Sequence, residues 1–580
     1  MTPTSPAESP GPVVATTGGI TETDVIVIGG GPVGLTVAHE LGSRGVDVVL
    51  VEPLTEPDTS SPRCKQINPR SMEHLRRLGL ADEVRAASLL PFGWSDSVVF
   101  CASLGGHRIE RFDGVFALSD VPRSEFPEPA QWTAQYSLES ALRAALPARE
   151  SVTTRWGSRL VHLDQDDDSV VATVRDVEGR VSRTRGRYLA GADGGRSAVR
   201  RALGIEFLGR TDVIENLQVI FDAPGLGERQ PHGRAVQYWV LNQEAGGLLG
   251  PLDTAGGWWA IILDAPLDAT PAWTEQALRT MIGAELGADL DLRVRAQNPW
   301  TARMLVADRY RQGRCFLLGD AAHLNPPWGG FGANLGIGDA VDLGWKLAAD
   351  LAGWAGDELL DSYEAERRPA ALAAIAEAER NMAILTHELS GPDLDAAGQA
   401  GLAARTEAAE AVRRTKTSET YTLGFVLGGG CPDSPRVAPD HRPAPQSETS
   451  VYRPSAAPGM RLPHVWLAPG ESLYDRLGPG FTLLDIASSP APRSWQDAAA
   501  ERGLPLRIQQ LYRPDTHSLF GARYLLVRPD GLVAWRDDEL PHDPAALLDH
   551  VRGSVHKGAR RGAAPEEPTS SPVPEHRPED

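Results

Sequence analysis

The sequence has little of what metal- or disulfide-stabilised, membrane-spanning and nucleic-acid-binding proteins require. Its 580 residues include only four cysteines, Cys64, Cys101, Cys315 and Cys431, which lie far apart without a Cys-x-x-Cys pair. This spacing argues against a bound metal such as zinc and against a disulfide framework. No uninterrupted apolar run approaches the ~20 residues that a transmembrane helix needs. The formal net charge of −20 disfavours non-specific binding to nucleic acid or to an anionic membrane.

Both ends of the chain are also poor in apolar residues. Residues 1–22 are rich in Thr, Pro, Ser and Gly, and residues 556–580 in Pro, Glu and Arg, so we expect two disordered tails. The first tail has no basic start and no long apolar run, unlike a secretory signal. Together with the cysteine pattern, this predicts a protein of the reducing cytoplasm.

Between the tails, the residue patterns change several times. A strand, glycine turn, helix and strand start at Asp24, which is typical of a βαβ unit. Residues 355–415 are rich in Ala, Glu and Arg and predict helices. Further on, FTLLDI and YLLVRPDGLVAWR predict strands of a separate small α/β domain. Strands without long helices between them are predicted within 159–177, 216–222, 234–241 and 258–264.

The first motif that carries chemistry is GGGPVG. Gly29, Gly31 and Gly34 have the G-x-G-x-x-G spacing directly after a strand and before a helix. Such glycines permit a tight turn, close approach to a pyrophosphate and close helix–strand packing, while the helix start offers free N–H groups. Glu52 closes the second strand, where an acid accepts from a ribose hydroxyl and repels a 2′-phosphate. The motif predicts FAD or NAD and excludes NADP at this site; a glycine turn without a ligand is the alternative.

Two further acids follow predicted strands. Asp193 ends the strand of YLAGADGGRSAVRRALG, where it is either the N-cap of an ordinary helix or a cofactor contact. Asp320 ends the strand of RCFLLGDAAH, where a carboxylate can accept hydrogen bonds from a polyol chain. The glycine-rich turn over 329–334 then leaves backbone N–H groups at the start of a buried helix.

Together, these motifs resemble the FAD-dependent aromatic hydroxylases of the para-hydroxybenzoate hydroxylase type. GGGPVG, GADGGRSAVR and GDAAHLNPPWGGFGANLGIGDAVDLGWKLA occur in the family's order, and the third matches nearly every position of the family pattern. The resemblance covers about residues 23–380. The C-terminal part is similar to the thioredoxin-like domain of the larger phenol and polyketide hydroxylases, but without a Cys-x-x-Cys we expect no redox activity there.

The resemblance implies an α/β fold with a Rossmann-like FAD-binding domain, an inserted mostly-β substrate domain and a C-terminal thioredoxin-like α/β domain. We expect the FAD-binding domain over 23–425, interleaved with the β-rich substrate region and ending in helices at about 355–415. That substrate region would occupy about 90–130 and 206–300. A linker is expected over 426–460 and the thioredoxin-like domain over 461–555.

The resemblance also assigns cofactor roles by position. Glu52 and the first glycines would hold the ADP half of FAD, Arg63 would lie near the phosphates and flavin, and Gln135 near the ribityl chain. Asp193 would contact FAD and NAD(P)H, and Asp320 the ribitol hydroxyls. The expected cofactor-binding set is Gly29, Gly31, Gly34, Glu52, Arg63, Gln135, Asp193, Asp320, Pro326, Gly332, Ala333 and Asn334.

A further set of residues is expected to face the substrate. Pro326 would fix the distance between flavin edge and substrate. Only one of Tyr238 and Trp239 can face the pocket, since strand residues alternate; Tyr238 is the candidate base. Four aromatic residues either line the pocket or pack in the core, namely Phe92, Trp94, Trp328 and Phe331.

Three other residues carry expectations of their own. His323 is interpreted as structural, since it follows Asp320 at a buried strand–helix junction. Asp342, where many relatives carry Asn, should have a modest effect on packing or polar contacts only. Lys65 is interpreted as a solvated or phosphate-proximal charge.

The implied reaction is the NAD(P)H- and O₂-dependent hydroxylation of a phenolic or polyketide-type aromatic ring through a flavin C4a-hydroperoxide. The enzyme would be a monomer or homodimer of secondary metabolism; small-phenol degradation is the alternative substrate class. A halogenase is disfavoured because a W-x-W-x-I-P segment is absent. An oxidase or dehydrogenase stays open, as does, more remotely, a non-catalytic flavin-binding protein.

Overall fold

The computed structural model describes residues 19–266, 268–383, 389–442, 448–486, 493–511, 513 and 516–554. The expected tail over 556–580 lies outside these residues. Of the expected tail over 1–22, residues 1–18 also lie outside them, but Ile20–Glu22 form a strand that pairs in parallel with Val181–Gly186. No helix of the described residues is long and apolar enough to cross a membrane.

A six-stranded sheet carries the first motif. The predicted βαβ unit is confirmed as the strand Val25–Ile28, the helix Pro32–Gly42 and the strand Val48–Glu52. Both strands are buried along their whole length, which explains why they are continuous apolar runs. The strand order is Arg311–Gln312, Cys315–Leu317, Tyr188–Gly191, Val25–Ile28, Val48–Glu52 and Val152–Trp156, all parallel except the first.

An eight-stranded sheet contains most of the remaining predicted strands. Its order is His323–Leu324, Arg293–Ala307, Phe207–Asp222, Gly257–Ile262, Gly247–Pro251, Gln237–Val240, Ser97–Cys101 and Arg108–Asp113. A separate four-stranded sheet is formed by Ile20–Glu22, Val181–Gly186, Val170–Asp176 and Ser158–Gln165, and Gln66–Ile67 pair with Gln131–Trp132. With the parallel sheet above, this is the α/β class with a mostly-β portion that the sequence predicts.

The eight-stranded sheet buries both of its faces. One face, which includes Trp239 and Trp259, belongs to the same apolar core as the six-stranded sheet. The other face, which includes Tyr238 and Trp258, packs against the helix Pro271–Ile282. The alternation of strand residues therefore decides which aromatic side chains can face the six-stranded sheet.

The helices lie between and around these sheets. The longest are Gly332–Leu351, Ser362–Ala383 and Gly398–Thr420. The others before the C-terminal domain are Pro69–Arg77, Ala81–Ala87, Gln135–Ala145, Ala198–Ala202, Leu226–Arg229, Ala284–Gly287 and Leu423–Gly428, with 3-10 turns at Val115–Ala117, Leu146–Ala148 and Gly319–Ala321.

The C-terminal domain has a mixed four-stranded sheet. Its order is Leu506–Gln510, Phe481–Asp485, Tyr524–Val527 and Val533–Asp537, and the last two strands form the hairpin predicted from Pro529-Asp530-Gly531. Gly531 has φ +83° at that turn, a conformation that glycine adopts without strain. The smaller elements are Trp466–Ala468, Glu471–Ser472, Leu473–Arg476, Ser494–Ala500, Thr516–Phe520 and Pro544–Val551.

A buried cluster of charges joins this domain to the rest of the chain. Arg528 donates to Glu366 at 2.8 Å, to Asp342 at 3.0 Å and to Asp530 at 2.6 Å. Lys346 donates to Asp342 at 2.9 Å and to Glu366 at 2.8 Å. Asp342 therefore does more than the modest packing role expected of it, because it binds a residue 186 positions away.

Burial and the neighbouring charges shift the pKa values of the acids in this cluster. Burial raises the pKa of Asp342, against the opposing charge of Lys346. Burial also opposes the ionisation of Glu366, but Arg528 and Lys346 outweigh it and hold the pKa of Glu366 well below its usual range. Arg528 and Lys346 thus pair with three buried acids, Asp342, Glu366 and Asp530. Removal of one partner leaves a buried charge unpaired.

Replacement of the central arginine should loosen the C-terminal domain. We expect Arg528→Met to lower the free energy of unfolding by about 3 kcal/mol or more, because it strands Asp342, Glu366 and Asp530 without their shared partner. Urea denaturation followed by tryptophan fluorescence measures the loss. Arg523→Met, at an exposed position of the same domain, is the control and should change little. Equal stability of the two variants would refute the role of the cluster.

Candidate active site

The first glycine turn is shaped by close backbone contacts. Gly29 has φ +107°, and a Cβ there would lie 2.3 Å from the carbonyl oxygen of Ala192. A Cβ at Gly34 would lie 1.9 Å from the carbonyl oxygen of Gly29, so the helix packs directly on the turn. At Gly31, by contrast, the nearest atom is 3.9 Å away, and no side chain caps the helix that follows. The free N–H groups of this helix start fit a pyrophosphate.

Glu52 lies directly behind this turn. Its carboxylate accepts hydrogen bonds from the backbone N–H of Gly30 at 2.6 Å and of Leu54 at 2.8 Å. The side chain is almost fully buried. A carboxylate has lone pairs beyond those two bonds, so Glu52 both fixes the turn and retains the capacity to accept from a ribose hydroxyl.

Asp193 binds the start of the helix Ala198–Ala202 but is not its N-cap, which is Ser197. One carboxylate oxygen accepts from the backbone N–H of Ala198 at 2.7 Å and of Val199 at 3.1 Å. The other oxygen, Oδ1, is buried with no hydrogen-bond partner among the described residues. Burial raises the pKa of Asp193 against these bonds. The predicted cofactor contact therefore has one oxygen available to it.

Arg63, Asp320 and Gln135 lie around this turn, since the charge of Arg63 acts on Asp320 and Gln135 bonds Glu139, the residue nearest to Gly31. We call the region that they border the cleft. Arg63 is exposed with φ +42°, and Asp320 is exposed in the turn Gly319–Ala321. Surrounding protein raises the pKa of Asp320, opposed by the charges of His323 and Arg63. Within the described part of the chain, the Asp320 carboxylate accepts no hydrogen bond, and Gln135 donates to Glu139 at 2.9 Å.

The third motif forms the opposite border of the cleft. Pro326 is buried, and Gly329 and Gly330 take positive φ values of +91° and +66°. A Cβ at Gly332 would meet nothing within 4 Å, and the helix that begins there has no side-chain cap. The first N–H groups of this helix, including that of Ala333, therefore have no side-chain cap among the described residues. Two uncapped helix starts, one from each motif, fit the two ends of an anionic dinucleotide.

Asn334 acts within the protein, although it was expected to contact the cofactor. Its Oδ1 accepts from the backbone N–H of Asn68 at 2.9 Å, and its Nδ2 donates to the carbonyls of Gln66 at 2.9 Å and Gly330 at 2.8 Å. These bonds tie the glycine turn to the loop that contains Arg63. The amide positions the border of the cleft.

Two of the expected substrate contacts, Tyr238 and Phe331, pack against other parts of the protein. Tyr238 lies on the sheet face that packs on the helix Pro271–Ile282, and its hydroxyl donates to Gly233 at 2.7 Å and accepts from Ala235 at 3.0 Å. Burial raises its pKa further, so Tyr238 is not the base. Phe331 packs on Phe425 with ring centroids 4.7 Å apart, away from the sheet.

The other aromatic candidates have mixed positions. Phe92 is 44% exposed, beside Arg85 rather than in the cleft. Trp94 lines a cavity of about 440 Å³ at the edge of the eight-stranded sheet, together with Arg111, Leu118 and Arg234. Trp328 is buried against Trp300, with ring centroids 6.2 Å apart.

The sequence did not single out Asp339, which organises the third motif. Its carboxylate accepts from the backbone N–H of Gly319 at 3.0 Å and from Arg367 Nε at 2.7 Å, and pairs with His323 Nε2 at 2.8 Å. Burial opposes its ionisation, yet the charges of Arg367 and His323 lower its pKa. The structural interpretation of His323 agrees with this geometry.

Lys65 was also misjudged. It was expected to be solvated or near a phosphate, but its Nζ lies 4.1 Å from the ring centroid of Trp259, on the face of the eight-stranded sheet that meets the six-stranded sheet. Trp132 lies beside the same ring, with centroids 6.5 Å apart, and stacks on Phe116. Phe116, Trp132 and Trp259 therefore form an aromatic wall beside the loop that contains Arg63, with Lys65 as its cation.

Two family models match the chain. A model described as "FAD binding domain" matches residues 22–378, and one described as "Aromatic-ring hydroxylase, C-terminal" matches residues 455–554. The chain is 35% identical to the tetracenomycin B2 monooxygenase-dioxygenase of Streptomyces olivaceus, over 92% of this chain and 98% of that protein.

Solved structures of similar proteins superimpose over almost the whole chain. RebC with bound 7-carboxy-K252c matches with a TM-score of 0.84 and 35% identity, over 93% of this chain and all of that one. A ternary complex of aklavinone-11 hydroxylase with FAD and aklavinone matches with a TM-score of 0.76 and 31% identity, over 92% of this chain and all of that one.

Loss of the Asp339 charge should weaken the third motif. We expect Asp339→Asn to lower the free energy of unfolding by about 3 kcal/mol at neutral pH, since Arg367 loses a buried partner. Because folding lowers the pKa of Asp339, its contribution is complete above the ordinary value of 3.8 and is lost as pH falls towards the folded value. The difference in the free energy of unfolding between Asp339→Asn and the wild type should therefore narrow only at acidic pH.

Urea unfolding at several pH values measures this difference. Asp357→Asn, at an exposed position just beyond the same helix, serves as the matched control and should behave like the wild type. A stability difference that stays constant down to pH 3 would contradict the assigned charge.

Proposed function

Because this chain belongs to the family of FAD-dependent aromatic hydroxylases, we propose that it hydroxylates a polycyclic phenol of the polyketide type at the cleft, with NAD(P)H as transient reductant. The overall change would be ArH + O₂ + NAD(P)H + H⁺ → ArOH + NAD(P)⁺ + H₂O. The observation that carries the proposal is the combination of two uncapped helix starts, the exposed Asp320 carboxylate and the aromatic wall beside the Arg63 loop.

The residues of the cleft fit FAD. The open spaces at Gly31 and Gly332, where a Cβ would meet nothing closer than 3.9 Å, leave room for the backbone to approach a ligand. We propose that the first helix start binds the pyrophosphate, with Glu52 at the ribose and Asp320 at the ribitol hydroxyls. Arg63 supplies positive charge near the phosphates, and Gln135 lies near the ribityl chain.

When bound, FAD supplies the oxidation chemistry; the chain orients the reactants, excludes water and places charge. The uncapped start of the helix Gly332–Leu351 would stabilise negative charge beside it. Pro326 and the turn after it would fix the distance to the substrate. The aromatic wall of Trp132 and Trp259 would keep that space dry and offer faces on which a polycyclic ring stacks.

The proposed substrate class rests on the side chains beside the cleft and on the similarity of the chain to known proteins. The similar proteins include a tetracenomycin B2 monooxygenase-dioxygenase and an aklavinone 12-hydroxylase. Tryptophan faces beside the cleft suit fused aromatic rings. The division into domains given above, a cytoplasmic location and a role in antibiotic biosynthesis form part of the proposal, and the four free thiols agree with a reducing compartment.

The proposal is tested with purified protein. Bound yellow flavin should be present, and oxidation of NADPH or NADH should accelerate when polycyclic phenols are added, with products heavier by one oxygen. A parallel panel of single-ring phenols separates the two substrate classes. No stimulation by any phenol would overturn the proposal.

A single replacement tests the cofactor geometry. Asp320→Ala should weaken FAD binding about tenfold or more, since hydrogen bonds to a charged group contribute ~1.5–3 kcal/mol. Because the Asp320 carboxylate lies in a desolvating site, the stability of the FAD-free protein should stay unchanged or rise slightly. Fluorescence titration with FAD and thermal unfolding give the two quantities. Wild-type affinity in Asp320→Ala would refute the assignment, and Asp357→Ala is the control.

A further inference from the structure

Lys65 lies at the junction between the loop of Arg63 and the aromatic wall. Its backbone carbonyl accepts from Thr133 at 2.8 Å, which anchors the loop beside the strand Gln131–Trp132. Its Nζ donates to the carbonyl of Arg63 at 3.1 Å and lies over Trp259. One ammonium hydrogen therefore bonds within the loop, and the other two remain for a ligand.

The surroundings of Lys65 hold no balancing acid. Within the described residues, no carboxylate forms an ion pair with its Nζ. The neighbouring titratable and charged groups of its own loop are Arg63 and the Cys64 thiol, and burial raises the pKa of that thiol. The two strands that pack against it contribute Trp132 and Trp259. Burial lowers the pKa of Lys65 to about 8. A partly buried cation on an indole ring is stabilised by the ring but lacks an anion.

We infer that the Lys65 ammonium is the counter-ion of the ionised phenol oxygen of the substrate, which makes it the residue that activates the ring. The inference rests on the proposed function. A phenolate donates more electron density to its ring than a phenol does, and this favours attack of the ring on an electrophilic oxygen. An opposite charge within about 4–6 Å stabilises the ionised form.

The phenol proton is accounted for in either charge state of the lysine, although it goes to a different acceptor in each. Where Lys65 is an ammonium, the phenol releases its proton to solvent and the phenolate pairs with the existing cation. Where Lys65 is a neutral amine, it takes the phenol proton itself, so that the O–H bond breaks as the N–H bond forms. Both routes end in an ammonium–phenolate pair beside Trp259.

The test compares FAD-loaded wild type with Lys65→Met, Lys65→Arg and the exposed control Arg159→Met. The probe is 2-hydroxyanthraquinone, whose phenol and phenolate absorb at different visible wavelengths. Difference spectra from pH 5 to 10 give the ionisation midpoint of the bound probe. We expect Lys65→Met to raise this midpoint by about one pH unit or more, whereas Lys65→Arg and the control keep it close to the wild-type value.

A second readout separates charge from packing. In steady state at pH 7, Lys65→Met should lose at least tenfold in kcat with the probe, while its KM for NAD(P)H stays unchanged. In Lys65→Arg, kcat should be partly restored. An unchanged midpoint in Lys65→Met overturns the counter-ion role, as does loss of FAD from that variant alone. A wild type that binds FAD yet shows no probe-stimulated NAD(P)H oxidation overturns the proposed function, which distinguishes the two failures.

Discussion

A single buried carboxylate, that of Asp339, holds together the segments that shape the cleft. It binds the turn before Asp320 through the N–H of Gly319, the following strand through His323 and the next helix through Arg367. Since an ionised acid this deeply buried is stable only with its partners in place, these segments have one mutual arrangement. The helix that contains Asp339 is thereby fixed with its uncapped start towards the cleft.

The glycines of the third motif follow from the same constraint. A Cβ at Gly336 would lie 2.5 Å from Val33, and one at Gly319 would lie 2.9 Å from it. The two helices whose starts face the cleft therefore cross with almost no side chain between them. Residues that are poor for packing a core serve here to bring two helix starts towards one ligand.

The C-terminal domain holds the far ends of the same framework. Arg461 forms a buried ion pair with Glu73 on the helix Pro69–Arg77, and Arg528 binds Asp342 on the helix Gly332–Leu351. Asn334 joins the starts of these two helices through Asn68. A domain without a Cys-x-x-Cys pair thus has a structural role that its sequence alone does not reveal, because its partners lie hundreds of residues away.

The sequence predicts best where neighbours along the chain decide the structure. The βαβ unit, the hairpin at Gly531 and the place of Glu52 depend on local patterns, and each is where it was expected. The alternation of strand residues predicts that Tyr238 and Trp239 lie on opposite faces of the sheet. It does not predict which of the two faces packs against the helix Pro271–Ile282. Asp339 was not singled out, and the place of Lys65 over an indole ring was not foreseen, because both depend on contacts with residues distant in sequence, Arg367 and Trp259.

The origin of the oxygen added to the product tests the account most directly. Turnover of a polycyclic phenol with NAD(P)H under ¹⁸O₂ in ordinary water should give a product with one ¹⁸O atom. Turnover under ordinary O₂ in H₂¹⁸O should give a product without label at the new hydroxyl. A product that gains no oxygen, or whose new oxygen comes from water, would contradict a monooxygenase site in the cleft.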